Sequence, residues 1–348
     1  MIDFRYHLVS IVAVFLALAI GIVLGSTELQ GSTLDVLRAT NNSLTNQRNQ
    51  AAAQRDSFAQ VAGASDTFLQ TAEPKLLSDM LTGKRIVVVT EPGAPSAITG
   101  GVEKAAGLSG ATVTGTVALQ PKFNDLSGST KSSLAAINNE LASTDADVLA
   151  PAADQQTVYQ QEAAQLIATA ILNTTDGQLG LTTPQAQTLL GDYAKSGFLT
   201  TSGAPWNRAT LALIVAPQTA PTDGANDPAN LVLLALAPQF AQASAATLVA
   251  GPSASSAASS SMISVLRGSS VSSQVSSVDN ADTTLGQIST IWALANQQAG
   301  GKPNSYGISG ANSVSPSVPA PAPSQTPTVS STPTTKATGG VKKTVKTK

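Results

Sequence analysis

The sequence predicts a mixed α/β protein with a single transmembrane helix at its N-terminus. Three features indicate this fold: an apolar run near the N-terminus, β-branched segments that alternate with amphipathic ones in the middle, and a Pro/Ser/Thr-rich C-terminal end. Such alternation is typical of a Rossmann-like, mostly parallel sheet with helices on its faces. We therefore expect a transmembrane anchor at 1–27, a helical stalk at 28–72, an extracytoplasmic α/β domain at 84–309 and a disordered tail at 310–348.

The apolar run covers residues 8–25, in which Ser10 is the one plainly polar side chain. At 1.5 Å per residue it spans about 27 Å, which is close to the hydrocarbon thickness of a bilayer. A cleaved export signal normally starts with a basic segment, whereas here Asp3 offsets Arg5. We favour a retained anchor in the cell membrane with the body of the protein outside the cytoplasm; a cleaved signal is the alternative.

The segment after the anchor follows a seven-residue repeat. Its second seam carries polar residues, which weaken a coiled coil but can define its register. We predict a coiled-coil-like stalk and, through it, a homodimer; a lone helix packed on the chain's own domain is an equally weighted alternative. The helix is expected to break at Glu73-Pro74. The two seams consist of Leu37, Leu44, Ala51 and Phe58, and of Leu34, Asn41, Arg48, Arg55, Ala62 and Leu69.

The α/β domain begins with a β-branched, apolar segment at 84–90, which is typical of a buried parallel strand. The apolar run at 231–236 fits either a helix or an additional strand. Further strands are predicted at 112–117, 209–216, 246–250 and 272–277, and helices at 96–108, 131–142, 155–172, 184–196, 227–243, 257–266 and 282–298.

The composition argues against several functional classes. The chain has no cysteine, which excludes disulfides and thiolate metal sites, and its only histidine is His7 at the membrane edge. The domain therefore lacks the commonest general base. The formal net charge is −2, and the five lysines among the last thirteen residues leave −7 on the rest of the chain. A mildly acidic body argues against nucleic-acid binding.

The first strand-to-helix turn lacks a cofactor-binding motif. Residues 91–95 read Glu-Pro-Gly-Ala-Pro, where a dinucleotide site needs closely spaced glycines. The two prolines also remove backbone donors that would hold phosphate. Neither a P-loop nor a serine-nucleophile motif occurs elsewhere in the sequence. We therefore predict no cofactor and no enzymatic activity.

Candidate ligand-binding residues follow two of the predicted strands. Glu91 comes after the first strand, and Asp279, Asn280 and Asp282 come after the last. Because ligands bind at the carboxyl ends of strands in open α/β sheets, one interpretation is that Glu91, Asp279 and Asp282 converge on a cation or on a partner's basic group. We favour the other interpretation, in which the Asp and Asn side chains cap the next helix. No metal site is assigned; an all-oxygen ligand set would suit calcium or magnesium, not cuprous copper.

Three stretches of the sequence resemble the actinobacterial family of the mycobacterial copper transport protein B. They are MIDFRYHLVSIVAVFLALAIGIVLGS at the start, KRIVVVTEPGAP from Lys84, and VDNADTTLGQISTIWALANQQAGGKPNSYG from Val278. The resemblance covers roughly residues 1–310. It implies a membrane-anchored cell-envelope protein in copper homeostasis or efflux, which we interpret as a non-enzymatic, partner-binding scaffold with an indirect relation to copper.

The same resemblance implies two alternatives. Family members are described as copper channels of the outer membrane; such a channel would require oligomers here, because one helix cannot line a pore. Members are also linked to cell separation, as membrane partners of a cytoplasmic septation protein that controls peptidoglycan hydrolysis. A septation partner would bind near the membrane anchor, and the channel alternative would place the chain in the outer membrane.

Overall fold

The computed structural model describes residues 4–142, 156–173, 181–218 and 223–319. The chain divides into two compact units, Met1–Ala72 and Glu73–Lys348. The first unit consists of most of one long helix. The second unit contains a sheet with helices on both of its faces.

The long helix α1 (Phe4–Leu77) begins with the predicted anchor. Its stretch Phe4–Gly25 is long and apolar enough to cross a membrane. The side chains of this stretch are exposed in the structure, as Phe15 at 67% illustrates, and are not packed in a protein core. An apolar helix surface of this size without protein around it is compatible with lipid surroundings.

The stalk part of α1 also exposes large apolar side chains. On the first predicted seam, Leu37 is 59% exposed, Leu44 54% and Phe58 74%. Val61 and Phe68 lie further along the helix and are exposed as well. The helix is continuous through the predicted stalk, and its pairing with a second copy stays a prediction.

The expected break at Glu73-Pro74 is wrong, because α1 continues to Leu77. A proline removes the hydrogen bond to the carbonyl four residues earlier. Since Pro74 lies in the last turn, the helix loses only one such bond, and the Pro74 carbonyl still accepts a hydrogen bond from the Ser78 backbone N–H at 3.1 Å.

The last turn of α1 belongs to the second unit and is bound to it by side chains. The indole N–H of Trp292 donates to the Leu76 carbonyl at 3.1 Å. The ammonium group of Lys104 pairs with the buried carboxylate of Glu73 at 2.6 Å. These two contacts join the end of α1 to the next helix of the chain and to the last one.

Within the described residues, the second unit has a seven-stranded sheet. Its strands are β1 (Arg85–Thr90), β2 (Thr112–Leu119), β3 (Leu199–Gly203), β4 (Leu211–Val215), β5 (Ala246–Ala250), β6 (Ser276–Val278) and β7 (Ser305–Tyr306). They lie in the order β3-β2-β1-β4-β5-β6-β7, and all neighbours are parallel except β2 and β3. The chain changes direction across the sheet between β1 and β4, which creates a topological switch point there.

Two layers of helices bury the sheet. The helices are α2 (Ser96–Leu108), α3 (Gly128–Ala142), α4 (Val158–Ile171), α5 (Thr183–Lys195), α6 (Pro228–Ala243), α7 (Met262–Gly268) and α8 (Thr284–Gln298). Alternate β1 residues point to opposite faces. Val87 and Val89 join the core cluster that α3 to α7 contribute to, whereas α2 and α8 contact each other and the strands from the other side.

The sequence analysis did not predict the two edge strands of the sheet, and several of its predicted bounds in the last third of the domain are wrong. β3 is exposed at four of its five positions and β7 has two residues, so neither carries the apolar signature of a buried strand. The run at 231–236 is helical and lies in α6. The strand predicted at 272–277 starts only at Ser276, and the helix predicted at 257–266 starts only at Met262.

Residues after Gly310 form hydrogen bonds with the α/β domain, although the sequence predicts that a disordered tail starts there. The backbone N–H of Asn312 donates to the Ser305 carbonyl at 3.1 Å, and the side chain of Asn296 donates to the Ser317 carbonyl at 2.9 Å. The remainder of the predicted tail, 320–348, lies outside the described residues.

A buried polar network holds α3, α4 and α5 together. The Tyr193 hydroxyl donates to Asn138 Oδ1 at 2.6 Å. Asn138 Nδ2 in turn donates to Glu162 Oε2 at 3.1 Å and to the Tyr159 carbonyl at 3.0 Å. Burial raises the pKa of Tyr193, and the nearby Glu162 charge adds to this increase, so the phenol stays a donor at all physiological pH values.

We expect Tyr193→Phe to lower the free energy of unfolding by about 1–2 kcal/mol, because the buried Oδ1 of Asn138 loses its donor. The midpoint of thermal unfolding of the full chain in detergent measures the effect. Tyr159→Phe is the matched control, since Tyr159 is half-buried and takes part in the network through its backbone. Equal midpoints for the two variants would contradict a stabilising role of the network.

Candidate functional site

The structure separates the candidate residues into two places. Glu91 follows β1, whereas Asp279, Asn280 and Asp282 follow β6. Strands β4 and β5 lie between, so the two places are three strand spacings apart, or about 14 Å. This strand order does not bring Glu91 together with Asp279 and Asp282, so the interpretation that these side chains converge on one ligand is wrong.

Glu91 lies at the topological switch point between β1 and β4. Its backbone N–H donates to the Val215 carbonyl at 3.0 Å, at the end of the neighbouring strand. Its side chain is 1% exposed, and neither carboxylate oxygen has a hydrogen-bond partner of normal geometry among the described residues. Burial raises the pKa of Glu91 to about 7, against a smaller lowering by the side-chain amide of Asn124.

Asp279 is a fully buried carboxylate with several donors. Its Oδ2 accepts hydrogen bonds from Arg267 Nη1 at 2.8 Å, the Ser256 hydroxyl at 3.0 Å and the Ser309 backbone N–H at 2.9 Å. Its Oδ1 accepts the Ile308 backbone N–H at 2.8 Å. These bonds satisfy the charge internally, so Asp279 holds the 304–313 segment against β6 and is not available to a ligand.

Arg267 extends this network, and the sequence analysis missed it. Its Nε donates to the Ser277 hydroxyl at 3.0 Å, its Nη2 to the Tyr306 carbonyl at 2.7 Å, and its Nη1 also to the Ser309 carbonyl. A lone arginine in a short helix gives no sequence signal for a partner twelve residues later. The structure shows that only glycine fits at Gly307, because its φ is +133° and an added Cβ would clash with Asp279 Oδ1.

The other two candidates have different roles from those predicted. Asp282 is exposed, and its Oδ1 accepts from the Ser253 backbone and hydroxyl at 3.3 Å each. The N-cap of α8 is Thr283, whose hydroxyl oxygen accepts the Gly286 N–H at 3.1 Å. Asn280 is buried, with an Oδ1 that has no partner in the described part of the chain. The prediction that Asp or Asn side chains cap α8 is therefore wrong, because the cap is Thr283.

Metal-binding side chains do not gather in the described part of the chain. Across 4–142, 156–173, 181–218 and 223–319, no group of three or more His, Asp or Glu residues is placed to hold an ion. The two internal methionines, Met80 and Met262, lie half-buried after α1 and buried at the start of α7.

Comparison with known proteins identifies the family. The family model described as "Copper transport outer membrane protein, MctB" matches residues 1–316. The chain belongs to the MctB family. The match includes the apolar helix, the stalk and the α/β domain up to the segment that Asp279 holds.

Two curated relatives agree with the family. The copper transporter MctB of Mycobacterium tuberculosis strain H37Rv is 30% identical over 312 residues, which cover 88% of this chain and 96% of the relative. The copper transporter MctB of Mycobacterium leprae is 28% identical over 322 residues, which cover 90% of this chain and 99% of the relative. Similarity to both MctB proteins therefore extends over nearly their whole length.

Asp279→Asn is expected to lower the free energy of unfolding by about 3–5 kcal/mol, because the buried Arg267 loses its counter-charge. Hydrogen exchange of the 304–313 backbone should accelerate before the rest of the domain responds. Asp282→Asn makes the same chemical change at an exposed position and should cost less than about 0.5 kcal/mol. A similarly small effect of both substitutions would show that the Asp279 network is not structural.

Glu91→Gln should remove a pH dependence of stability. The folded protein binds the Glu91 proton more tightly than the unfolded chain, with a pKa of about 7 against an ordinary 4.5, so stability falls as the pH rises from 4.5 to 7. At pH 8 the substitution should raise the free energy of unfolding by up to about 3 kcal/mol.

Denaturant titrations between pH 4 and 8 test this expectation. The control is Glu103→Gln, which makes the same chemical change at a carboxylate that differs from Glu91 in having a hydrogen-bond donor. The Thr116 hydroxyl donates to the Glu103 carboxylate at 3.0 Å. This control should keep the fall in stability between pH 4.5 and 7. An unchanged fall in Glu91→Gln would mean that another group causes it.

Proposed function

We propose that this chain is a membrane-anchored cell-envelope protein that serves copper homeostasis by binding partners, as a dimer joined through its stalk and without enzymatic activity. Membership of the MctB family supports a copper-related membrane protein. The single observation that carries the rest of the proposal is a row of exposed apolar side chains, in heptad spacing, on the helix that also contains the membrane-span candidate.

The first step of the argument concerns the anchor. The apolar side chains of Phe4–Gly25 are exposed, which is costly in water and favourable in lipid. The same helix continues without interruption into the stalk. A retained anchor with the α/β domain outside the cytoplasm accounts for both features, and the family description as an outer membrane protein supports an envelope location.

The second step concerns self-association of the stalk. With Leu37, Leu44 and Phe58 at d positions, Asn41 falls at an a position. Leucine at d favours a parallel, two-stranded coiled coil, and Asn41 at a can define its register, while Arg48 and Arg55 at the next two a positions lower its stability. Two helices that enter the same membrane from the same side are also parallel. A second copy is therefore the occupant that fits this apolar face.

The third step concerns copper. Cuprous copper prefers thiolate, thioether and imidazole ligands. The sequence contains no cysteine, and its one histidine is His7 in the membrane-span candidate. We therefore propose that the chain influences copper through a partner that it positions at the envelope. The printed family description favours a second candidate, in which oligomers of the chain form a copper channel of the outer membrane.

The stalk dimer predicts a clear difference between two substitution sites. Leu37→Ser with Leu44→Ser should weaken dimerisation of the full chain in detergent at least tenfold, because two large apolar seam positions are lost from each helix. Val36→Ser is the matched control, since Val36 is 64% exposed but lies outside both seams. Sedimentation equilibrium measures the association, and a monomeric wild-type chain would contradict the proposal.

The same variants connect the dimer to copper. Cells that carry the seam variant in place of the wild type should lose copper tolerance, whereas the Val36→Ser cells should keep it. Conductance of the purified full chain in a planar bilayer decides between the two candidates: copper-dependent current would favour the channel and would count against a partner-binding scaffold.

A further inference from the structure

A small polar cavity lies beside the Asp279 network, at the β6–β7 edge of the sheet. Its volume is about 150 Å³, and its walls come from α7, from the segment before β6 and from residues on both sides of β7. Neither the MctB family match nor the similarity to its relatives assigns a role to this place. A water molecule occupies about 30 Å³ of liquid, so the cavity has room for a molecule of a few heavy atoms.

The wall of the cavity includes the guanidinium group of Arg267, which has one N–H group without an acceptor among the described residues. Arg267 has five N–H donors. Four of them are used by Ser277, Asp279, Ser309 and Tyr306. One Nη2 hydrogen therefore has no partner among the described residues, although the side chain is only 10% exposed.

Three neighbouring side chains in the cavity wall also retain donors. The hydroxyl oxygens of Ser277 and Ser305 accept from Arg267 Nε and from the Asn312 backbone N–H, which leaves their own hydrogens available. Asn304 Oδ1 accepts from Asn312 Nδ2 at 2.6 Å, so the Asn304 amide hydrogens remain available too. The wall thus presents an arginine, two hydroxyls and an amide with unused N–H or O–H groups.

No carboxylate competes for these donors in the described wall of the cavity. Asp279 is adjacent but 0% exposed, and both of its oxygens are already hydrogen-bonded. Lys302, which immediately precedes the wall residue Pro303, is exposed and carries a positive charge. Because Asp279 already neutralises the charge of Arg267, an oxyanion would be recognised here through the convergent hydrogen-bond donors, and the described wall has no exposed carboxylate to repel it.

We propose that this cavity binds a small oxyanion, with Arg267 and Asn304 as principal contacts and with Ser277 and Ser305 as hydroxyl donors. The ligand is an inorganic phosphate or the carboxylate of a small acid or chain terminus; both present several acceptor oxygens to a planar guanidinium group. The inference rests on the wall residues alone and is independent of the stalk dimer and of copper.

Binding of phosphate and of acetate to the full chain in detergent tests the proposal, by titration calorimetry in phosphate-free buffer at constant ionic strength. Saturable binding of either anion with one site per chain is expected. Phosphate alone would identify a phosphate site, and acetate alone a carboxylate site. Absence of saturable binding for both anions would overturn the proposal.

Asn304→Asp is the decisive variant. The new carboxylate keeps the acceptor for Asn312 but replaces the amide donor with a negative charge, so affinity should fall at least tenfold. Asn207→Asp makes the same change at an exposed position before β4 and should bind as the wild type does. Arg267→Lys is avoided as the primary test because Arg267 also holds the 304–313 segment. Unchanged affinity in a correctly folded Asn304→Asp chain would also overturn the proposal.

Discussion

Burial of a parallel sheet on both faces is the constraint on which the rest of the domain depends. The strands β1, β4 and β5 are buried along almost their whole length, so charged side chains are excluded from the middle of the sheet. Ionisable groups can enter only where strands end. Glu91 and Asp279 occupy two such ends, and they differ because Asp279 has four donors whereas Glu91 has no partner of normal geometry among the described residues.

The pairing of Asp279 with Arg267 connects this constraint to the sheet edge. A buried charge is tolerated only when it is paired and hydrogen-bonded, and here the partners come from α7 and from the backbone after β7. One consequence is that β7, a strand of only two residues, can form the edge of the sheet. Another is that Arg267 is held beside a polar cavity with one N–H donor unused, so a contact that stabilises the fold also positions a donor for the proposed oxyanion site.

The two units of the chain support different parts of the proposed function. The first exposes apolar surface along a helix, which suits lipid at one end and a second helix along the stalk. The second buries its apolar surface and, in its described part, gathers no metal-binding cluster. An anchored support for partners explains this division better than direct copper chemistry, because soft copper ligands are scarce in the sequence.

The sequence by itself determined the apolar helix, the heptad spacing, the central strands and their alternation with helices, because each of these depends on local periodicity. It also located Asp279 at a strand end. Only the tertiary structure decided the strand order, which separates Glu91 from Asp279, and the edge strands β3 and β7, which lack an apolar signature. It also decided the roles of Arg267 and Thr283. Contacts between residues distant along the chain depend on how the elements pack, and no local pattern encodes them.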